Sequence, residues 1–411
     1  MSTIERVVIV GAGLAGAKIA EALRDKGFVG SITLVGDESE RPYERPPLSK
    51  GYLSGQAERD SVFVHGEGWY AEHDVVLLLG TAVTAIDRAA HRVTLDDGNT
   101  LPYDALVIAT GASPRTLPIP SADHAGVHYL RRLDDSDDLK RAISQAQRIA
   151  IVGAGWIGLE VAAAARQGGV GVTVLEYAEL PLLGVLGPEV AEVFANLHRE
   201  HGVDLRLGVE VAEIVVTDDR PAGIRLADGT VIGADAVVVA VGAKPNTELA
   251  EAAGLMVDDG VVVDEGLRTA DAAIYAVGDV ANQWHPLLGR RIRVEHWANA
   301  LNQPDVAAAS IMGEDVAFDL LPFFYTDQYD LGMEYHGRAG AGGYDDVVFR
   351  GDKAGREFIA FWRKDGRVIA GMNVNIWDVD EPIKALIRSG AVVAADELAN
   401  TDMSLEDLAG R

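Results

Sequence analysis

Two copies of a strand, glycine turn, helix, strand and acid, a second repeat trailing each copy, and a change to hairpin patterning near Pro322 predict an α/β fold. The expected architecture is two Rossmann-like dinucleotide-binding domains followed by a C-terminal α+β domain. The expected boundaries are 1–115 with 242–320 for a discontinuous first domain, 116–241 for the second, and 321–411 for the third.

The first copy is RVVIVGAGLAGAKIAEALRDKGFVGSITLVGDE, from Arg6, and the second is RIAIVGAGWIGLEVAAAARQGGVGVTVLE, from Arg148. Each joins a short apolar strand to an Ala-rich helix through a glycine turn, then returns to a strand that ends at an acid. A lone glycine pattern is weak, because glycines serve ordinary turns. Two copies in full βαβ context are not a coincidence of turns. Gly11 and Gly153 permit the tight turn, Gly13 and Gly155 let a pyrophosphate approach the backbone, and Gly16 and Gly158 allow close helix–strand packing. The helix start then offers free N–H groups and partial positive charge to phosphates. Glu176 ends the second strand of its copy and is the expected acceptor for an adenosine ribose, which favours NADH over NADPH. In the first copy Gly36 stands where that acid would be, and Asp37 follows as the candidate for the ribose or the nearby phosphate region.

Each copy is followed by a DG hairpin signal, a buried-type strand and a glycine turn, in LDDGNTLPYDALVIATGASPR and LADGTVIGADAVVVAVGAKPN. Beyond Pro322, REFIAFWRKDGRVIAGMNVN reads as a hairpin around another DG turn, and EPIKALIRSGAVVAADELA as a helix with a connection.

The 411 residues suffice for two or three full cores, and 48% apolar content is ordinary for a globular protein. A formal charge of −27 disfavours nucleic acid and anionic membrane. With no cysteine, the chain cannot form disulfides, thiolate metal sites, protein-held iron–sulfur clusters or a redox dithiol. His124 and His128, beside Asp123, have loose metal spacing but lie in a turn-rich stretch, so no metal site is expected. No apolar run is long enough to span a bilayer, since Glu160 interrupts the best one. MSTIERVVIVGAG enters a strand almost at once, with no signal-peptide pattern, so a cytoplasmic protein is expected.

With the two nucleotide units, ALVIATGASPR, IYAVGDVA and RVEHWANALNQ resemble the FAD-dependent pyridine nucleotide reductases, which have a glutathione-reductase-like fold. YERPPLSK in a cysteine-free chain narrows the resemblance to NADH:ferredoxin reductases of bacterial oxygenase systems, of the putidaredoxin reductase and biphenyl dioxygenase reductase type. The likeness runs from about Val7 to Gly371. It implies FAD on the first unit and NADH on the second. By motif position, FAD would meet Gly11, Gly13, Ala15, Gly16, Asp37, Arg45, Lys50, Val83, Thr110, Gly111, Arg131, Asp279 and Trp297. NADH would meet Gly153, Gly155, Ile157, Gly158, Glu160, Glu176 and Gly242. Asp279 would bond the ribityl hydroxyls; the plainer reading is a helix N-cap before VANQW. Trp297 would pack near the flavin, where a helix start would favour the reduced ring; the plainer reading is a core aromatic.

Related disulfide reductases carry a cysteine pair where this chain reads RPPLSKGYLSG. Electrons must therefore leave a flavin by another route. Lys50 is the candidate cation near the isoalloxazine ring and Arg45 the candidate for the pyrophosphate, with Pro42, Pro46 and Pro47 limiting backbone freedom. A solvated surface loop is the alternative. By the family pattern Glu160 lies near the nicotinamide, paired with Lys50; otherwise it is a helix-surface acid favoured by the dipole. The arginines that usually follow the ribose acid are absent from EYAELPLLGVLG.

The resemblance implies a C-terminal interface domain, with Tyr325 of PFFYTDQYDLG near the electron exit, and a [2Fe-2S] ferredoxin as partner. Because ferredoxins are usually acidic, docking needs a local basic surface, expected near Arg290, Arg291 and Arg293 and extended by Arg338, Arg350, Arg363, Lys364 and Arg367. The expected reaction takes hydride from NADH to FAD and passes single electrons to the ferredoxin, which feeds a haem monooxygenase or ring-hydroxylating dioxygenase. The rivals are an NADH:rubredoxin reductase or NADH oxidase on the same scaffold, or a redox-sensing flavoprotein that acts as a binding partner. A monomer or weak dimer is expected.

Overall fold

The computed structural model describes residues 4–340 and 342–410. By its internal contacts the chain divides into two units. The first is Met1–Arg45, Arg59–Ser113 and Ala243–Leu320; the second is Pro46–Glu58, Pro114–Gly242 and Leu321–Arg411.

In the first unit the strands Arg6–Val10, Ser31–Val35, Val75–Leu78, Ala105–Ile108 and Ile274–Ala276 form one parallel sheet, with Arg6–Val10 at its centre. Its central strands are buried on both faces, as a parallel sheet between layers requires, while Val76 of the edge strand stays 52% exposed. The helix Leu14–Asp25 packs beside the helix Trp297–Ile311, so residues far apart in sequence close one core.

The second unit repeats the plan. Asp204–Arg206, Gly171–Leu175, Arg148–Val152, Ala236–Val239 and Val127–His128 form a parallel sheet in that order, with the helix Trp156–Gln167 opening from the glycine turn. To this unit belongs a five-stranded antiparallel sheet, Phe323–Gln328, Leu331–Gly337, Arg367–Val374, Glu357–Lys364 and Asp346–Asp352 in spatial order, with the helix Asp380–Ser389 packed on it. The DG hairpin is present: Lys364 pairs with Arg367, and Asp365 and Gly366 both take positive φ, 51° and 73°. No helix among the described residues is long and apolar enough to cross a membrane.

Two expectations change. The segment Pro46–Glu58, read from sequence as part of the first domain, packs with the second unit. Ser136 Oγ donates to Leu48 O at 2.8 Å and Tyr52 Oη to Asp137, while Leu48, Ser49, Tyr52 and Leu53 are buried. The solvated-loop reading fails for the same reason. Asp279 does not cap a helix. It lies in a short 3-10 turn, Gly278–Val280, and the residues after it, Ala281–His285, form a strand.

Candidate functional site: two nucleotide cradles and a buried ion pair

Both glycine turns follow the same steric logic. A Cβ on Gly11 would lie 2.2 Å from Ala109 O, and one on Gly153 would lie 2.3 Å from Ala240 O. Both residues also need positive φ, 112° and 102°. A Cβ on Gly16 would meet Gly11 O at 2.0 Å, and one on Gly158 would meet Gly153 O at 2.1 Å. Gly13 and Gly155 differ: a Cβ there meets nothing within 4 Å. These middle glycines border open space at the start of a helix, where they sit as extended N-caps without a side-chain cap. The first-turn N–H groups are therefore left for another acceptor. Both cradles fit a pyrophosphate.

The acids differ between the copies. Glu176 closes its strand, and its carboxylate folds over the turn, accepting from Ala154 N–H at 2.7 Å and Ala178 N–H at 2.9 Å. In the first copy a side chain at Gly36 would press on Ala12 Cβ at 2.4 Å, which explains the missing acid there. Asp37 is exposed just beyond it. The sequence reading passed over Glu38, whose carboxylate accepts from Tyr43 Oη at 2.5 Å and from Arg45 at 3.1 Å. Burial opposes the charge on Arg45, but Tyr43, Glu38 and Asp279 outweigh it and raise its pKa. Acid spacing alone could have flagged Glu38, two residues past Gly36.

Gly11, Gly13, Ala15, Gly16, Asp37, Arg45, Val83, Thr110, Gly111, Asp279 and Trp297 lie in the first unit; Lys50 and Arg131 lie in the second. Thr110 Oγ1 donates to Asn246 O, and Gly111 takes φ 67°. Trp297 is half-buried and opens the helix Trp297–Ile311, whose cap is His296, with Nδ1 accepting from Ala298 N–H. The NADH candidates Gly153, Gly155, Ile157, Gly158, Glu160, Glu176 and Gly242 all lie in the second unit. Ile157 remains 43% exposed on the first turn of its helix. After Glu176, Tyr177 is 78% exposed and no basic residue follows before Gly187.

Lys50 and Glu160 meet. Lys50 Nζ lies 2.7 Å from Glu160 Oε1, with the side chains 17% and 5% exposed. Ser49 Oγ and Thr326 Oγ1 also donate to this carboxylate, and the Lys50 ammonium lies 5.4 Å from the centre of the Tyr325 ring. A buried acid with three donors is not a helix-surface residue, so that plainer reading is excluded.

Of the expected docking cations, Arg290 and Arg291 are exposed on an antiparallel hairpin, where Arg291 pairs across the strands with Trp284, itself 40% exposed. Arg291 Nη1 also donates to Val263 O at 2.7 Å and Asn282 O at 3.2 Å, which leaves only part of its guanidinium for a partner. Arg293 is turned inward. Only 11% of its side chain is exposed, and it is ion-paired with Asp259 and Glu295, so it offers little to a partner. Arg350 is spent on carbonyls of residues 398–403 and Arg363 on Asp346, both holding the C-terminal fold.

Residues 5–303 match the family described as pyridine nucleotide-disulphide oxidoreductase, and residues 323–409 the reductase C-terminal domain. The chain is 43% identical over 401 residues to the anthranilate 1,2-dioxygenase system ferredoxin–NAD(+) reductase component of Burkholderia cepacia, covering 97% of this chain and 98% of that one. It is 41% identical to putidaredoxin reductase CamA of Pseudomonas putida over 380 residues, covering 91% and 90% of the two chains. A solved covalent putidaredoxin reductase–putidaredoxin complex superposes with a TM-score of 0.94 at 38% identity, covering 99% of this chain and 98% of that one. The ferredoxin reductase of the CYP199A2 system of Rhodopseudomonas palustris also reaches 0.94, at 36% identity, covering 98% and 100%. Duplicated cradles, a cysteine-free site built on the Lys50–Glu160 pair, and full-length likeness to such reductases converge: the chain belongs to the pyridine nucleotide-disulphide oxidoreductase family and carries its reductase C-terminal domain.

Proposed function

We propose that this chain is an FAD-containing NADH:ferredoxin reductase that supplies electrons to an oxygenase, with a [2Fe-2S] ferredoxin as its carrier and the cytoplasm as its location. The observation that carries this reading is that Lys50, from the segment where thiol-dependent relatives hold cysteines, forms a buried ion pair with Glu160 of the second cradle's helix, in a chain with two complete nucleotide cradles. Bound FAD supplies the step from two-electron to one-electron chemistry between NADH and the ferredoxin.

The protein's own part is to position and to set charge. In the first unit the turn Gly11–Gly16 receives the FAD pyrophosphate on free N–H groups. Arg45, kept cationic by Glu38 and Asp279, adds charge-assisted hydrogen bonds there. Asp279 would accept from the ribityl hydroxyls, and the helix starting at Trp297 would offer its positive N-terminal end to the electron-rich ring. In the second unit the turn Gly153–Gly158 holds the NADH pyrophosphate, and Glu176 accepts from the adenosine ribose and repels a 2′-phosphate. Glu160 and Lys50 act at the nicotinamide side, where hydride transfer requires no protein acid or base. Arg290 and Arg291, with Trp284, form the ferredoxin-facing patch.

NADH-driven reduction of cytochrome c tests the reading. It should require added [2Fe-2S] ferredoxin and be slow with rubredoxin. Equal rates without any carrier, or rapid oxygen consumption that carriers do not change, would overturn it in favour of an oxidase.

A further inference from the structure

Behind Glu160 runs a chain of buried polar side chains whose proton positions can be deduced one after another. Glu160, which accepts from the Lys50 ammonium, is a carboxylate and can only accept. Thr326 Oγ1 lies 2.6 Å from Glu160 Oε1, so the single hydroxyl proton of Thr326 points to Glu160. Thr326 then has only lone pairs for Gln328, whose Nε2 lies 3.3 Å away and donates to it. That fixes the Gln328 amide: its NH2 faces Thr326 and its carbonyl faces His198. His198 Nε2 lies 2.8 Å from Gln328 Oε1 and must carry the imidazole proton. Nδ1 is left bare, and Tyr329 Oη, 3.4 Å away, is its donor. Each donor in the chain points toward Glu160.

The elements make this possible. Thr326 and Gln328 are two residues apart on the strand Phe323–Gln328, so both face inward while Asp327 faces out. His198 comes from the helix Pro188–Glu200 and is fully buried, as Thr326 and Gln328 are nearly so. Burial pushes the His198 imidazole down to about 4, with nearby His201 adding to the effect, so the ring is neutral at working pH. Satisfied buried polar groups are common. Here, however, the chain crosses from the C-terminal sheet to a helix of the nucleotide half and terminates on the site carboxylate rather than closing on itself.

We propose that Tyr329, His198, Gln328 and Thr326 form a one-directional hydrogen-bond relay that positions Glu160 for the NADH-dependent step. This rests on the reading of Glu160 as the nicotinamide-side carboxylate. The four are positioning residues, and they make the C-terminal strand Phe323–Gln328 a working part of the NADH site.

Two measurements test the relay. Histidine-selective 15N NMR of the FAD-loaded protein should show His198, identified by loss of its signals in His198→Gln, as the neutral Nε2–H tautomer; an Nδ1–H tautomer overturns the proposal. Stopped-flow reduction of the flavin by saturating NADH, without ferredoxin, should slow by about tenfold or more in Thr326→Val, an isosteric change that removes the final donor. The KM for NADH should move much less, and Thr326→Ser should restore the rate. A wild-type rate in folded Thr326→Val overturns the proposal. If wild-type protein is not reduced by NADH at all, the functional reading fails, and the tautomer still decides whether the relay exists.

Discussion

At the scale of single residues, the six turn glycines separate into those the fold needs and those a ligand needs. Gly158 has no room for a methyl group, because its Cβ would press to 2.1 Å on Gly153 O. Gly158→Ala should lower stability by about 2 kcal/mol or more, since backbone cannot step aside as a side chain can. Gly155→Ala should cost less than about 1 kcal/mol, because its backbone is already extended and its Cβ meets nothing. The same methyl group would stand where the pyrophosphate must come, so affinity for NAD+ should fall roughly tenfold or more. Denaturant melts and calorimetric titration of both variants would check this. If Gly155→Ala bound NAD+ as wild type does, the second cradle would not be the NADH site.

At the scale of elements, one acid clamps the central strand of each sheet. Asp104 precedes the strand Ala105–Ile108, and its Oδ2 accepts from the N–H groups of Glu5 and Arg6 at the start of the neighbouring strand. Asp235 does the same to Gln147 and Arg148. In the first copy the Arg6 guanidinium also bonds Asp104 and holds its carboxyl below the usual carboxylate range. The folded pKa is depressed, so this contribution is complete above the unfolded value, near 3.9, and fades as pH falls through the folded one. The difference in melting temperature between wild type and Asp104→Asn should therefore be largest near neutral pH and shrink in acid; a constant difference from pH 7 to pH 3 would show that the charge is irrelevant. YDALVIATG and ADAVVVAVG both carry this acid directly before the buried strand, but its partners, the N–H groups of the neighbouring strand, are distant in sequence. What the sequence made legible was local: a glycine's φ, a DG turn, the two-residue alternation of a strand. What it hid depends on distant partners. Pro46–Glu58 joins the second unit because of Ser136, Asp137 and Glu160. Likewise His198 reads as an ordinary core residue until Gln328, 130 positions away, gives it a partner. Asp279 was misjudged as a possible cap because Ala281–His285 follows as a strand, set by its pairing with Val261–Val263 and Arg290–Ile292.

At the scale of the whole molecule, charge sets a problem for docking. If the carrier is an acidic ferredoxin that docks at Arg290 and Arg291, as proposed, a body of net charge −27 repels it at long range, while the two arginines attract it only near contact. Salt separates the two effects by distance, because the screening length shrinks from about 30 Å at 0.01 M to about 10 Å at 0.1 M. Adding salt from a very low level should first remove the distant repulsion and raise kcat/KM for ferredoxin. Further salt should screen the patch itself and lower kcat/KM, giving a maximum at intermediate ionic strength. Reversing both charges, Arg290→Glu with Arg291→Glu, removes the attraction and leaves the repulsion, so the falling limb should vanish and the rate should climb steadily with salt. Ferricyanide needs no protein–protein docking, so its reduction in the same samples corrects for any general damage. A variant that keeps the maximum would place the ferredoxin elsewhere on the surface.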